Sequence, residues 1–273
     1  MLILLSHNMQ EITSTNNAKV RYLLQLKKKS SVRKEFGEFV IEGKREIVAA
    51  LKNGYRLKSL YFCPDFISEK DLLDISNQFN VQTIFYRFAP HVYRKVAYRD
   101  STEGIIALAE TKTHELEKLK LKENPMILVA ESIEKPGNVG AMLRSVDGSG
   151  ADALILVNPV VDIYNPNLIR ASIGTVFSTQ TAVTDMEGLK NFINQHGINL
   201  YAATLQNNNL YHKENFKDAV AIAVGAEDKG LTDEMRNLAK KQVYIPMNGQ
   251  TDSLNVSVSA AILLYEAVRQ RSV

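Results

Sequence analysis

Five small polar side chains crowd one short stretch of this chain: Asp252, Ser253, Asn255, Ser257 and Ser259, interleaved with Leu254, Val256 and Val258. The run follows a strand-like segment ending at Ile245-Pro246 and a polar loop from Met247, and it opens a helical pattern that reaches about Arg271. An ordinary helix start needs one capping Ser, Thr, Asp or Asn, and a purely structural helix favours stronger helix formers. Small polar groups packed at a loop-to-helix junction suit a backbone that must closely approach a ligand or another chain. Two earlier segments share this character. In Asn138-Val139-Gly140-Ala141-Met142-Leu143-Arg144, which follows the turn-forming Pro136-Gly137, the spacing of four sets Arg144 one helical turn above Gly140, which has no side chain. In Val224-Gly225-Ala226-Glu227-Asp228-Lys229-Gly230-Leu231, a carboxylate follows an apolar strand, and Gly230 allows a positive backbone angle. Taken singly, Arg144 also fits a structural salt bridge and Glu227 an exposed loop carboxylate.

Together and in this order, the three segments resemble the motifs of the SpoU/TrmH family of RNA ribose 2'-O-methyltransferases, a branch of the knotted SPOUT methyltransferases. The resemblance covers residues 126–271. It implies a C-terminal α/β domain with a parallel sheet and a trefoil knot, S-adenosylmethionine as cofactor, and a homodimer formed through that domain. A face of the last helix bearing Ser257, Ala260, Ala261 and Tyr265 is the expected dimer contact. Carried over residue by residue, the catalytic set is Asn138, Arg144, Glu227, Ser253 and Asn255. Gly225, Ile245 and Leu254 match the positions whose backbone holds the cofactor, with Thr204 and Met247 at neighbouring strand ends as further candidates. Arg170, within Leu168-Ile169-Arg170-Ala171-Ser172-Ile173-Gly174, matches another recurrent segment and is assigned to RNA phosphate. Lys135 departs from the family pattern, which often has an acidic residue there. Methylating a ribose hydroxyl asks for in-line placement of oxygen, methyl carbon and sulfur, which is mainly proximity catalysis. A guanidinium is a poor general base, so Arg144 is read as binding phosphate and stabilising the developing alkoxide, with its transient deprotonation, helped by the phosphate, as the alternative that the resemblance implies.

The elements that must position these residues fall into two parts. Residues 9–112 read as a small α/β unit, with helices over 17–26, 43–51 and 70–79 and strands at 38–42, 60–62, 83–86 and 104–109. The segment 113–123 is charged, has little to bury and reads as a linker; Asn124-Pro125 then opens a second domain over 124–273. There, strands at 126–130, 153–157, 200–204, 219–224 and 243–245 alternate with helices at 138–149, 167–173, 187–196 and 233–240, with Thr232 as a cap. Uninterrupted Val, Ile, Leu and Ala runs predict parallel strands buried on both faces, and such sheets bind ligands beyond their carboxyl ends.

Charge divides along the same line. Residues 1–123 carry 21 Lys and Arg against 15 Asp and Glu, whereas residues 124–273 carry 12 against 15. From Lys19 to Lys58 there are 12 basic and 4 acidic residues, the footprint of a polyanion partner. Lys27, Lys28, Arg33, Lys44 and Arg45 are the expected RNA contacts there. Phe39-Val40-Ile41-Glu42-Gly43-Lys44-Arg45-Glu46 resembles the start of the substrate-binding domain of ribosomal-RNA members, itself similar to a small RNA-binding ribosomal-protein fold. Ribosomal RNA is therefore the expected substrate, ahead of transfer RNA or a non-catalytic role in ribosome assembly. Cys63 is the only cysteine, which excludes an intrachain disulfide and suits a reducing cytoplasm. No metal-ligand spacing, P-loop or Gly-x-Gly-x-x-Gly fingerprint occurs, and no run is long enough to span a membrane. Met1-Leu2-Ile3-Leu4-Leu5 is too short for a signal sequence and is expected to be a loose end or a short strand.

Overall fold

The computed structural model describes residues 10–79, 81, 83–97, 103–205 and 209–272. The apolar start at residues 1–5 and the expected domain boundary at residue 9 lie outside the described residues. The chain forms two compact units, one of Met1–Lys112 with Tyr164–Ser178 and one of Thr113–Ile163 with Thr179–Val273.

In the first unit, β1 (Gln10–Ile12), β2 (Glu38–Glu42), β3 (Leu57–Phe62), β4 (Ile84–Phe88) and β5 (Ile105–Glu110) form a mixed sheet in the order β1-β4-β3-β5-β2. Its helices are α1 (Ala18–Lys28), α2 (Ser30–Phe36), α3 (Lys44–Lys52), α4 (Glu69–Phe79) and α5 (Pro90–Val96). Val20, Leu23 and Leu26 of α1 and Val92, Tyr93 and Val96 of α5 cover one sheet face. Three of these elements were not legible in the sequence. β1 is three residues long. Helix α2 is separated from α1 only by Lys29, whose backbone is extended at φ −118° and ψ 115°, a break that no Gly or Pro announces. Pro90 opens α5 at the first turn, where its missing N–H leaves no helical bond unmade.

The second unit is built on a six-stranded, wholly parallel sheet of β6 (Met126–Glu131), β7 (Ala153–Val157), β8 (Thr181–Thr184), β9 (Asn199–Ala203), β10 (Val220–Val224) and β11 (Lys241–Val243). The strand order is β11-β9-β10-β6-β7-β8. Every residue of β6, β7 and β10 is buried, as their continuous apolar sequences predict. From β6 the chain steps outward to β7 and β8, then crosses back to β9 and returns to β10 beside β6. The reversal puts a crevice between the carboxyl ends of β6 and β10, where ligands bind in sheets of this kind. Helix α6 (Pro136–Ser149) follows β6 and ends on Gly150 in the left-handed region at φ 68°.

Between β7 and β8 the chain enters the first unit. Tyr164–Ser178, with the short helices α7 (Pro166–Ser172) and α8 (Thr175–Ser178), covers the other face of the mixed sheet. Phe39 packs on Tyr164 with ring centroids 4.2 Å apart, and Tyr55 meets Phe177 edge-on at 5.0 Å. Gly174, at φ 89°, lies so close to α3 that an added Cβ would sit 3.1 Å from Ala49 Cβ.

The remaining elements of the second unit are α9 (Met186–His196), α10 (Asp233–Leu238) and α11 (Val256–Arg271). Met186, Leu189, Phe192 and Ile193 of α9 and Met235 of α10 pack on Ile127, Val129, Ile155 and Ala223. Helices α6 and α11 pack against each other, and α11 also contacts β6 and β10. Strand β11 ends at Val243, two residues short of the expected Ile245, because Tyr244 leaves the ladder for a parallel bridge with Leu210. Edge strand β8 was not legible in Thr-Ala-Val-Thr, which has no apolar run.

Candidate active site at the carboxyl ends of β6 and β10

Three loops deliver the site. The β6–α6 loop brings Asn138, in the first turn of α6; Pro136 occupies the start of that helix rather than the expected preceding turn. The β10–α10 loop brings Glu227. The segment before α11 brings Asn255, the N-cap of that helix, as the crowded polar stretch predicts. The three side chains meet in one directed chain of hydrogen bonds. The Ser257 hydroxyl donates to Asn255 Oδ1 at 2.6 Å, Asn255 Nδ2 donates to Asn138 Oδ1 at 3.2 Å, and Asn138 Nδ2 donates to Glu227 Oε1. A carboxylate only accepts. Glu227 therefore fixes the amide of Asn138, which in turn fixes that of Asn255. Asn255 Oδ1 also caps α11 by accepting the Ser257 N–H at 3.0 Å, so capping and site geometry share one side chain.

The backbone around this chain is tightly constrained. A Cβ at Gly225 would lie 2.2 Å from the carbonyl carbon of Gly230, so only glycine fits. Gly230 adopts φ 66° and donates its N–H to Ala226 O at 2.8 Å, closing the loop that carries Glu227. Ser132 and Asn158, just past the ends of β6 and β7, hold positive φ of 53° and 45° without being glycine. Such backbone outliers cluster at functional sites.

The other expected site residues take varied places. Arg144 is exposed on α6, six residues after Asn138, and forms no ion pair among the described residues. It stands about 9 Å further along the helix axis. Gly140, expected on the Arg144 face, is instead buried, so the two straddle the edge of the solvent face. Ser253 is exposed, with its hydroxyl 3.4 Å from Asp252 Oδ1, and takes no part in the chain through Asn138. Thr204, just past the end of β9, has a buried hydroxyl with no hydrogen-bond partner among the described residues. Ile245 and Met247 are half-buried, and Leu254 is exposed. Arg170 is exposed on α7 in the first unit.

Two of the expected RNA-binding cations in the first unit are corrected. Arg33 is 3% exposed and donates to Leu26 O, because the break at Lys29 turns α2 so that this residue faces inward. Lys27 is half-buried, pairs with Glu42 at 3.0 Å and donates to Val96 O. Lys44 pairs with Asp71 at 2.7 Å and Arg45 with Glu46, yet both remain accessible. Lys28 is exposed, as are Lys29 and Lys34. Lys135, singled out above as a departure from the family pattern, has its ammonium 4.0 Å from Glu227 Oε1, a contact the sequence reading did not foresee. That reading also missed Glu131, a carboxylate that closes an otherwise apolar strand.

The described residues contain no group of three His, Cys, Asp or Glu able to hold a metal ion. No described helix is long and apolar enough to cross a membrane.

Residues 125–265 match the family model described as SpoU rRNA Methylase family. This chain belongs to that family. Residues 17–107 match a second model, the MRM3-like substrate binding domain. Among curated SpoU relatives, the 23S rRNA (guanosine(2553)-2'-O)-methyltransferase RlmP of Bacillus subtilis (strain 168) is 26% identical over 257 residues, which is 94% of this chain and 98% of RlmP. A crystal structure of an RNA 2'-O ribose methyltransferase is 39% identical with a TM-score of 0.84, covering 97% of this chain and 100% of its own. The SpoU methyltransferase AviRb of Streptomyces viridochromogenes, solved with AdoMet, is 25% identical with a TM-score of 0.88, covering 94% of this chain and 99% of its own.

The family's cofactor is S-adenosylmethionine, and the residues here fit it. The orphaned Thr204 hydroxyl just past the end of β9 is a polar group awaiting a partner. Gly225 lets the end of β10 pack directly on the Gly230 backbone, and the apolar side chains of Ile245, Met247 and Leu254 are half-buried or exposed. When bound, the cofactor supplies an activated methyl group on a sulfonium.

Proposed function

We propose that this chain transfers a methyl group from S-adenosylmethionine to a ribose 2'-hydroxyl of ribosomal RNA. The observation that carries the reading is the convergence of Asn138, Glu227 and Asn255 at the crevice between β6 and β10, with Arg144 on the same helix as Asn138. In this reading Glu227 and Asn138 orient the ribose hydroxyl, and Arg144 holds a phosphate and stabilises the oxygen as its proton leaves. Gly225, Ile245, Leu254, Thr204 and Met247 hold the cofactor, and Ser253 lines the same pocket. Ribosomal RNA is favoured because the 23S rRNA enzyme RlmP matches nearly the whole chain, including the part that matches a substrate-binding model.

The first unit then acts as the RNA-binding module, a small fold of ribosomal-protein type. Its contacts are Lys28, Lys44 and Arg45, joined by Arg170, whose segment packs with that unit. The domain division at 9–112, 113–123 and 124–273, the trefoil knot and a cytoplasmic location belong to the same proposal. So does a homodimer through α11. Ala260 is fully buried, so the outward stripe is Val258, Ala261, Ile262 and Tyr265 rather than the face first expected. Val258 and Tyr265 are 45% and 49% exposed, a spacing that sets an apolar stripe on the accessible side of the helix. Light scattering of the purified chain distinguishes dimer from monomer.

The deciding experiment is transfer of labelled methyl from S-adenosylmethionine to ribosomal and transfer RNA. Label in ribosomal RNA within an alkali-resistant dinucleotide is the expected result. Label only in transfer RNA overturns the substrate, and absence of both label and cofactor binding overturns the enzyme.

A further inference from the structure

One buried carboxylate plays no part in the chemistry described above. Glu131 ends β6 and is 1% exposed. Both of its oxygens face Thr232: Oε2 accepts the Thr232 N–H at 2.9 Å and Oε1 accepts the hydroxyl at 2.7 Å. Thr232 Oγ1 accepts the Met235 N–H at 3.2 Å and so caps α10. Glu131 forms no ion pair among the described residues. A buried carboxylate without a cation is costly unless hydrogen bonds satisfy it. The rest of β6 is apolar, and a strand end needs no charge. The carboxylate must therefore serve something other than the strand.

Its position shows what. Glu131 is the last residue before the β6–α6 loop, and the next residue, Ser132, turns the chain at φ 53° while donating to Val157 O at 2.9 Å. Thr232 is the residue at which the β10–α10 loop ends. These are the two loops that carry Asn138 and Glu227. They are thus joined twice, at a part-buried root by Glu131 and Thr232 and at an exposed tip by Asn138 and Glu227. The tip bond lies at the surface, where water competes, whereas at the root the accepting Glu131 carboxylate is buried although Thr232 itself is exposed.

We infer that Glu131 is a positioning residue for methyl transfer: through Thr232 it fixes the spacing of the two loops, so that Asn138 and Glu227 engage. The inference rests on reading that pair as the site. Thr232→Val keeps the backbone N–H and the side-chain shape but removes the hydroxyl, whereas Thr232→Ser keeps the hydroxyl. Glu131→Gln retains an acceptor oxygen and can still engage Thr232.

The test measures kcat and KM for RNA, melting temperature, and amide hydrogen exchange over Gly225–Leu231 in all three variants. In Thr232→Val, kcat is expected to fall about tenfold or more with KM changed by less than about twofold, since small misplacement of reacting groups is expensive. Exchange over Gly225–Leu231 rises in the same variant. Thr232→Ser stays near wild type in both readouts, and Glu131→Gln loses less than Thr232→Val. A folded Thr232→Val with unchanged kcat and unchanged exchange overturns the inference. So does a loss confined to KM, or a Glu131→Gln more damaged than Thr232→Val with its loop exchange unaltered. Should the wild type transfer no methyl group, the reading of the site fails on its own. The exchange measurement then still decides whether Glu131 pins the loop.

Discussion

The two ends of the parallel sheet use polar groups in opposite ways. At the amino end a long arginine and its neighbours tie several strand and loop backbones together. Arg271 donates Nε to Phe216 O at 2.8 Å, Nη1 to Asn124 O at 2.9 Å, and Nη2 to Pro125 O at 3.2 Å and to Asp218 O. Asp152 Oδ2 accepts the Met126 N–H at 2.9 Å, and Gln270 bridges Phe216 N to Glu214 O. At the carboxyl end, groups are arranged but not saturated. Among the described residues, Arg144 stands without an ion pair, the Thr204 hydroxyl has no partner, and two non-glycine residues there hold positive φ. One sheet thus anchors the last helix at one end and leaves hydrogen-bonding capacity for a ligand at the other. The comparison predicts that damage at the amino end lowers stability with little change in turnover. Damage at the carboxyl end does the reverse.

The largest separation is expected from Gly225→Ala. Its Cβ collides with backbone at Gly230, so the Glu227 loop must shift. Methyl transfer should fall by about 100-fold or more, with weakened S-adenosylmethionine binding by calorimetry. A variant near wild type in both would show that the loop has room. Next is Arg271→Ala, which removes the guanidinium donor from the Phe216, Asn124 and Asp218 carbonyls, while Pro125 O keeps the Val220 N–H. Chemical denaturation should report a loss of about 2–4 kcal/mol, while turnover of the folded fraction stays within about twofold of wild type. A collapse of turnover instead would erase the distinction between the ends.

Asn255→Ala should show both effects in one variant. Losing the cap costs about 1 kcal/mol, and losing the bond to Asn138 lowers turnover. Asn255→Asp keeps the cap but cannot donate to Asn138 Oδ1, so it should recover stability and not activity.

The smallest effect concerns pH. The Arg269 guanidinium, at 2.8 Å, holds the Glu266 carboxyl below the ordinary glutamate range, assisted by Gln270. A carboxyl lowered in the folded state contributes stability at neutral pH that disappears as pH falls through its folded value. Melting temperature should therefore decline slightly below about pH 4.3, and Glu266→Gln should flatten that part of the profile.

Much of the parallel sheet was legible because β6, β7 and β10 are buried on both faces and carry continuous apolar runs. The start of α11 was legible because Asn255 caps it. Edge strand β8 escaped notice for the same reason in reverse: its Val183 is 39% exposed, so little selects for apolar residues there. The excursion of Tyr164–Ser178 depends on Tyr164 and Phe177 meeting Phe39 and Tyr55, contacts that span more than a hundred residues of chain. The basic run was read as one surface, but the turn of α2 at Lys29 buries Arg33, and Glu42 engages Lys27. Charge alone carries no information about such local rotation. Glu131 escaped because its partner lies 101 residues away.

The most direct test of the account is single-turnover methyl transfer to ribosomal RNA by Arg144→Ala at saturating S-adenosylmethionine. The account predicts a rate lower by about 10²–10³, the scale for losing one group that stabilises charge in the transition state. Melting temperature and S-adenosylmethionine affinity should stay near wild type, because Arg144 is exposed and forms no ion pair among the described residues. A variant that transfers methyl groups at the wild-type rate would contradict the placement of the chemistry at this end of the sheet.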